Sequence, residues 1–422
     1  MRDYLTNYQM ILRGDTPKGF IKDDFWIIPS DWEKTKMKDI LEERKEYTTD
    51  QDTYPLFSLT IEKGVVEKTD RYERQYLVTK DGDNYKVVYE NDFVYNPMNI
   101  RFGAVALHKL RYPVSVSAYY NTFYIKNGYN PRFIEYFLQS FRMLHFYNNY
   151  AEGSLIEKRR LHYSVLLEYS FSFPPIFEQN RIIEILSTWD KAIELKEKLI
   201  DEKKKQKAGL MQKLLTGNVR FTGFNDAWEE VKFGKVFKFL NKERVSEPQN
   251  YKLLTVKLHL KGIEATEKYP NDTKNGRPYY LREPNEILIG RQNYHNGGIG
   301  IVPSNMNNYI ASNAISSLTT IKGDLMFLFY YISNVDFYKR VGHMIGGTGQ
   351  KEISETTMKN LVLRIPKSLE EQKKIGEVLK TADNEIDLLE KELESLKQQK
   401  KGLMQLLLTG IIRVNTQENE KR

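Results

Sequence analysis

The sequence predicts a mixed α/β (α+β) fold: two globular halves and two long helices that partner each other in a coiled coil, with pseudo-twofold symmetry. Three observations carry this. The segment from Glu178 to Phe221 returns as Glu371 to Val414; Gln179 recurs as Gln372 and Gly217 as Gly410, a constant offset of 193 with about half the positions identical and no gap. Each copy has a helical apolar pattern that closes on Gly-Leu-Met-Gln-x-Leu-Leu-Thr-Gly. The stretches between read as short apolar strands with Gly turns. Solenoid units recur every ~20–50 residues, so a repeat of this length is a duplicated half-protein instead. Such a molecule suits a roughly symmetric partner, and duplex DNA is one.

Each globular half repeats faintly. Both open on a Trp-Glu pair, Trp32-Glu33 and Trp228-Glu229, followed by an apolar-alternating stretch. Leu56 to Leu59 and Leu253 to Val256 read as strands ending in turns at Gly64 and Gly262. Asn91 to Tyr95 and Asn285 to Ile289 read as an acidic turn and a strand. An apolar helix is predicted over Phe133 to Phe146 and over Leu325 to Tyr338, and a last strand ends at Phe173-Pro174 and Ile365-Pro366. The first ~20 residues have no counterpart before the second half.

The second helix carries Ile375, Leu379, Ala382, Ile386, Leu389, Leu393, Leu396, Leu403 and Leu407 at alternating steps of four and three, with Lys400 interrupting. That is an a/d seam, so a coiled coil is predicted. The first helix keeps the seam at Ile182, Leu186, Trp189, Ile193, Ile200, Leu210 and Leu214, and places Lys196, Lys203 and Lys207 in it. Leu195 and Leu199 lie beside it. At ~1.5 Å per residue each helix spans roughly 50 Å. Thr216-Gly217 and Thr409-Gly410 stop the two helices, glycine supplying the left-handed residue that helix ends favour.

Composition bounds the function. The 422 residues carry a net charge of +8, and the pI is about 9.0, a balance that moderately favours a polyanionic partner. Length predicts two to four domains at ~100–200 residues each. The chain has no cysteine, which excludes disulfides, thiolate zinc sites and cysteine nucleophiles. No apolar run approaches the ~18 residues of a membrane span, and the N-terminus lacks a signal-peptide core. A cytoplasmic location and no membrane partner are expected.

Catalytic motifs are scarce. The run from Gly346 to Glu352 lacks the spacing of a phosphate loop and reads as a mobile loop. Phe173-Pro174-Pro175 is not the Asn-Pro-Pro-aromatic motif of amino-methyltransferases. The six histidines, His108, His145, His162, His259, His295 and His343, form no His-x-x-x-His pair, and no metal site is expected. Binding candidates are better represented. Arg71, Arg74, Arg101, Lys109 and Arg111 lie near Tyr72, Tyr76 and Tyr112 in the first half. The second half has Lys274 and Arg277, then Arg291, Gln292 and Asn293 in a polar run reaching Gly298, then Ser304 to Asn308. Lys351, at the end of the glycine loop, joins them. Arg reads guanine bidentately, Asn and Gln read adenine, and Lys and Arg hold phosphates. The run Lys203-Lys204-Lys205 with Lys207 reads as a solvated helix face or as a backbone contact between half-sites.

The Glu-Gln-x-x-Ile opening of each helix, its heptad body and its Gly-Leu-Met-Gln-x-Leu-Leu-Thr-Gly close resemble the specificity (S) subunit of type I restriction–modification enzymes. The resemblance covers nearly the whole chain. It implies two target recognition domains, each reading half of an asymmetric split DNA site, and two antiparallel spacer helices that fix the gap and dock methyltransferase (M) subunits. Carried onto this chain, the domains are 1–175 (with an extension over 1–20) and 219–366, the spacer helices lie within 176–218 and 367–415, and a polar tail covers 416–422. The coiled-coil interface would be Ile182, Leu186, Ile193, Leu210, Leu214, Ile375, Leu379, Ile386, Leu389, Leu393, Leu403 and Leu407. The resemblance implies double-stranded DNA, two M subunits and restriction (R) subunits as partners. S-adenosylmethionine, ATP and Mg²⁺ would belong to those subunits, leaving this chain without catalysis or cofactor. Two rival readings stay open: an assembly protein whose domains bind protein, and a nuclease or methyltransferase with an unrecognised motif.

Overall fold

The computed structural model describes residues 2–68, 84–155, 159–270, 277–343 and 352–414, with side chains from residue 6 onward except at 343. The chain divides into two compact units. Unit one is Met1–Leu195 with Leu393–Arg422, and unit two is Lys196–Glu392.

In unit one a four-stranded antiparallel sheet runs in the order Val105–Leu107, Phe93–Tyr95, Asn121–Ile125, Leu41–Glu43. In unit two the corresponding strands, Ile299–Ile301, Ile287–Gly290, Ile315–Thr320 and Phe237–Phe239, take the same order and sense. The faint sequence repeat is therefore a repeat of topology. Asn91 and Asn285 stand at equivalent turns before the second strand of each sheet, both at φ 67°, a region Asn tolerates better than most residues. The last strand of each unit, Ser170–Phe173 or Val362–Ile365, pairs antiparallel with the strand that follows the Trp, Glu33–Lys36 or Glu229–Lys232. A second sheet accompanies the first in each domain, three-stranded in unit one and four-stranded in unit two; the one in unit two contains a parallel pair, Lys252–Val256 with Tyr309–Ser312. Helix Arg2–Leu12 and hairpin Phe20–Lys22/Ile27–Pro29 belong to unit one alone.

The single helix expected over Phe133 to Phe146 is two helices, Pro131–Leu138 and Phe141–Tyr150. The one expected over Leu325 to Tyr338 is likewise Leu325–Ser333 and Val335–His343. In unit one Ser140 causes the break: its side chain accepts from the Met143 amide, which caps a new helix start. Apolar periodicity continues through both breaks, so it could not locate them.

The two long helices run Ile176–Leu214 and Leu369–Leu408, each about 60 Å long at the α-helical rise. Within each unit their segments pair antiparallel. In unit two Lys196 meets Glu392, Lys203 meets Glu385 and Lys207 meets Asp383; in unit one Lys400 meets Asp190. Ile182, Leu186, Ile200, Leu214, Ile375, Leu379, Ile386 and Leu407 are buried, and Ile193, Leu389, Leu393 and Leu403 are half-buried. Leu195 and Leu199 are exposed and do not shift the phase. Leu210 corrects the seam, because it is 37% exposed. A straight helix drifts ~20° per heptad against a 3.5-residue repeat, and at this end Met211, Leu214 and Leu215 take the buried side.

Each domain core recruits both helices. Unit one buries Ile182, Ile183 and Leu186 from the start of the first helix with Leu407 and Leu408 from the end of the second. Unit two buries Ile375 and Leu379 with Leu214 and Leu215. Gly217 (φ 73°) lies against Trp228, and Gly410 (φ 67°) lies against Pro29 and Trp32. The Trp that opens each half thus packs on the glycine that ends a helix.

Candidate nucleic-acid interface

A cleft of roughly 300 Å³ opens in the second domain, between strand Lys252–Val256 and the turn after Gly290. It gathers Arg277, Gln292 and Asn293, three of the predicted binding residues, with Tyr279, Thr255 and Ser312. Local structure explains how. Strand Ile287–Gly290 ends, and Asn293 begins a single turn of 3-10 helix over Tyr294–Asn296. The Asn293 carbonyl accepts from Asn296 and Gly298 amides, which ties the turn shut. Tyr294 is fully buried and donates to the Ile332 carbonyl at 2.7 Å. That anchor leaves Asn293 exposed beside the cleft, and Arg277 is exposed as well. Burial also pushes the Tyr294 phenol well above its ordinary pKa, so it stays a neutral donor.

Arg291 has internal partners. Its guanidinium lies 2.8 Å from Glu352 and donates to the Asn313 carbonyl at 2.9 Å. It braces the loop as it stands, and a DNA contact would have to compete with Glu352. Glu286, buried just before strand Ile287–Gly290, pairs with Lys242 and accepts from Ser317 at 2.5 Å. Arg282 is buried too, and desolvation lowers its pKa to about 10; it donates to the Ser312 and Ile315 carbonyls. Of these residues Arg282 bears on the cleft, because Ser312 and Ile315, whose carbonyls it holds, both line it.

The first domain has an equivalent turn, Ile100–Phe102, with Asn99 at its start and Gly103 (φ 91°) at its end. Here Arg101 donates to Asn148 at 3.0 Å, and Asn148 donates back to the Arg101 carbonyl. Arg101 is half-buried and holds the turn to helix Phe141–Tyr150. Lys109 is ion-paired with Glu135 at 2.9 Å, and Glu135 also accepts from the Leu107 amide. His108 is buried against the Tyr112 carbonyl. Arg111 and Tyr112 are exposed on this braced loop. Asp92, equivalent to Glu286, is buried and ion-paired with Arg44. Arg71, Arg74, Lys274 and Lys351 lie outside the described residues.

The structure gathers Arg277, Gln292 and Asn293, whereas in the first domain Arg101 lies on the turn Ile100–Phe102 and Lys109 and Arg111 on the loop that follows strand Val105–Leu107. The lysine run is not a free basic face. Lys203 pairs with Glu385, Lys204 with Glu390, and Lys205 with Asp201 and Glu202. Sequence reasoning missed Tyr279, Thr255 and Ser312 in the cleft. Each reads as an ordinary strand residue, and only strand pairing brings it to the rim. Among the described residues no group of three or more His, Asp or Glu is arranged to hold a metal ion, and no helix is long and apolar enough to cross a membrane. The cleft offers hydrogen-bond donors and acceptors at a groove edge, together with cationic charge, which is the chemistry of base and phosphate contact.

Known proteins share this architecture. The family model for the type I restriction modification DNA specificity domain matches twice, at residues 29–204 and 225–398. A putative type I restriction enzyme MjaX specificity subunit from Methanocaldococcus jannaschii is 27% identical over 425 residues, 94% of this chain and 98% of the relative. The type I restriction enzyme MjaVIII specificity subunit of the same organism is 31% identical over 268 residues, 57% of this chain and 61% of that one. In fold, the S subunit of a type I restriction–modification system from M. genitalium matches with a TM-score of 0.56 at 17% identity, covering 93% of this chain and 98% of its own. A structure described as the basis of complex assembly and conformational transition of the type I R-M system matches with a TM-score of 0.52 at 15% identity, covering 91% and 99%. With that family's domain found twice across most of its length, the chain belongs to the type I restriction–modification specificity family and is a specificity subunit with two recognition domains.

Proposed function

We propose that each domain reads one half of an asymmetric, bipartite site on double-stranded DNA. Phosphate contacts set register, and base contacts from loops such as the Arg277–Gln292–Asn293 cleft specify sequence. The observation that carries this is the cleft itself: residues from separate segments, singled out for base-reading chemistry, line one groove. The domains share a sheet order but differ at this turn, with Arg101 in one and His295 in the other at equivalent places. One scaffold with different readers suits two unlike half-sites.

In this reading the paired helices set the unread gap, as a ruler would, and dock two methyltransferase subunits, with restriction subunits completing the complex. A helix of about 60 Å exceeds the ~34 Å groove repeat, so it has the reach to serve successive turns. Methyl transfer and cleavage, with S-adenosylmethionine, ATP and Mg²⁺, belong to those subunits; this chain is a non-catalytic cytoplasmic component. The test is co-expression with the M subunits and mapping of methylated bases. A single asymmetric split motif, lost when this chain is omitted, is expected. DNA affinity should fall steeply with salt, as released counterions require. A complex that binds DNA without salt dependence, or methylation without a split motif, would refute the reading.

A further inference from the structure

Lys207 and Lys400 occupy the same seam position in the two helix copies. The other seam lysines of the first copy are not repeated: Lys196 corresponds to Leu389 and Lys203 to Leu396. Both retained lysines are half-buried, with side chains 23% and 18% exposed. Each is paired with an aspartate of the opposite helix, Lys207 with Asp383 in unit two and Lys400 with Asp190 in unit one. Those aspartates are also repeat equivalents.

A third residue completes each cluster, and it comes from the domain. Tyr330, on helix Leu325–Ser333, donates its hydroxyl to Asp383 at 2.6 Å. Tyr136, on helix Pro131–Leu138, donates to Asp190. The ammonium of Lys207 lies 5.5 Å from the Tyr330 ring centroid, and that of Lys400 lies 4.9 Å from the Tyr136 centroid, within cation–π range. A Lys, an Asp and a Tyr from three separate segments thus meet in the same way in both units.

A polar residue at a coiled-coil seam position costs stability relative to leucine, and its best-attested use is to specify register. A helix slip would carry each lysine away from its aspartate and leave the tyrosine hydroxyl without its acceptor. We propose that Lys207–Asp383–Tyr330 and Lys400–Asp190–Tyr136 are paired latches that fix helix register and the seat of each recognition domain on the helices, and so sharpen the spacer length the protein accepts. These are positioning residues and need touch no DNA. The inference rests on the reading that the helices set the gap.

The test uses the full chain assembled with its M subunits, wild type against Tyr330→Phe, Asp383→Asn and Lys196→Leu. Each complex methylates a duplex library in which half-site bases and spacer length both vary. In wild type one spacer should dominate. Tyr330→Phe removes one hydroxyl and keeps the ring, so the domain stays folded. It and Asp383→Asn should keep the half-site bases, while preference over spacers one base pair longer or shorter falls by about three- to tenfold. Lys196→Leu, at a seam lysine outside the latches, should keep the wild-type profile. A wild-type spacer preference in Tyr330→Phe and Asp383→Asn overturns the latch and leaves the ruler reading intact. Altered half-site bases in those variants also overturn it. A wild-type enzyme with no fixed spacer fails the ruler reading itself, and the latch falls with it.

Discussion

Arg413 donates from Nε and Nη2 to the two carboxylate oxygens of Glu178, both at 2.8 Å. Arg220 makes the same two bonds to Glu371, again at 2.8 Å. The duplication has preserved a two-toothed clamp between the segment after each helix and the opening of the other. Planar guanidinium and carboxylate match in this geometry, which lysine cannot reproduce. It explains why the Glu of each Glu-Gln opening recurs: Glu371 is only 1% exposed and needs its partner. The following Gln recurs for a similar reason. Gln179 bridges the Asn130 amide and the Pro174 carbonyl, and Gln372 bridges the Asp324 amide and the Pro366 carbonyl.

Removing Arg220 would strand a buried carboxylate. Arg220→Ala should destabilise unit two, with Arg220→Lys recovering only part. Chemical unfolding followed by circular dichroism measures it, and a loss within experimental scatter would show that water replaces the guanidinium.

Acid should weaken the clamp of unit one. Hydrogen bonds from Arg413 hold the Asp31 carboxyl below its ordinary value of 3.8, against a smaller opposing effect of burial. A carboxyl depressed in the folded state stabilises above its unfolded pKa, and the gain disappears as pH falls through the folded value. Asp31→Asn should therefore lower the urea midpoint at pH 7 and approach wild type below about pH 3.8. A gap that persists unchanged into acid would assign the effect to packing.

The seam can be graded. Leu379→Ala, at a fully buried position, should cost about 2–5 kcal/mol. Leu210→Ala should cost less than about 1 kcal/mol, since that side chain is 37% exposed. Lys196→Leu copies the residue found at the equivalent Leu389. It should stabilise by about 1 kcal/mol, because an ion pair to a largely exposed Glu392 contributes little. Melting temperatures in that order support the register, and a reversed order refutes it.

Two glycines should respond in opposite senses. Gly209 lies inside the first long helix with open space around it, so Gly209→Ala should stabilise by roughly 0.5–1 kcal/mol. At Gly410 a Cβ would stand 2.3 Å from Pro29, on a backbone at φ 67°. Gly410→Ala should destabilise unit one by more than about 1 kcal/mol, and equal midpoints for the two variants would contradict this.

In the cleft, Arg277→Ala should relax one base position of one half-site at about 1–3 kcal/mol. A uniform loss across all sequences would mark a phosphate contact instead. Methylation competition on duplexes varied one base at a time separates the two. Arg291→Ala is a less direct probe, because it also releases Glu352.

Sequence alone determined the architecture, because its signals are periodic and repeated. A seam over ten heptad positions and a gapless offset of 193 leave little freedom in helix length, partner or symmetry. Tertiary structure decided what periodicity cannot see. Hydrophobic spacing predicts which face is buried, and it is silent on which polar atoms meet across that face. Lys207 and Lys400 thus read as flaws in a seam until Asp383, Asp190, Tyr330 and Tyr136 were found around them. The same holds at the cleft. Arg277 and Gln292 were legible as residue types, but the groove they share with Thr255, Tyr279 and Ser312 exists only through strand pairing between distant segments, a relation that no local pattern encodes.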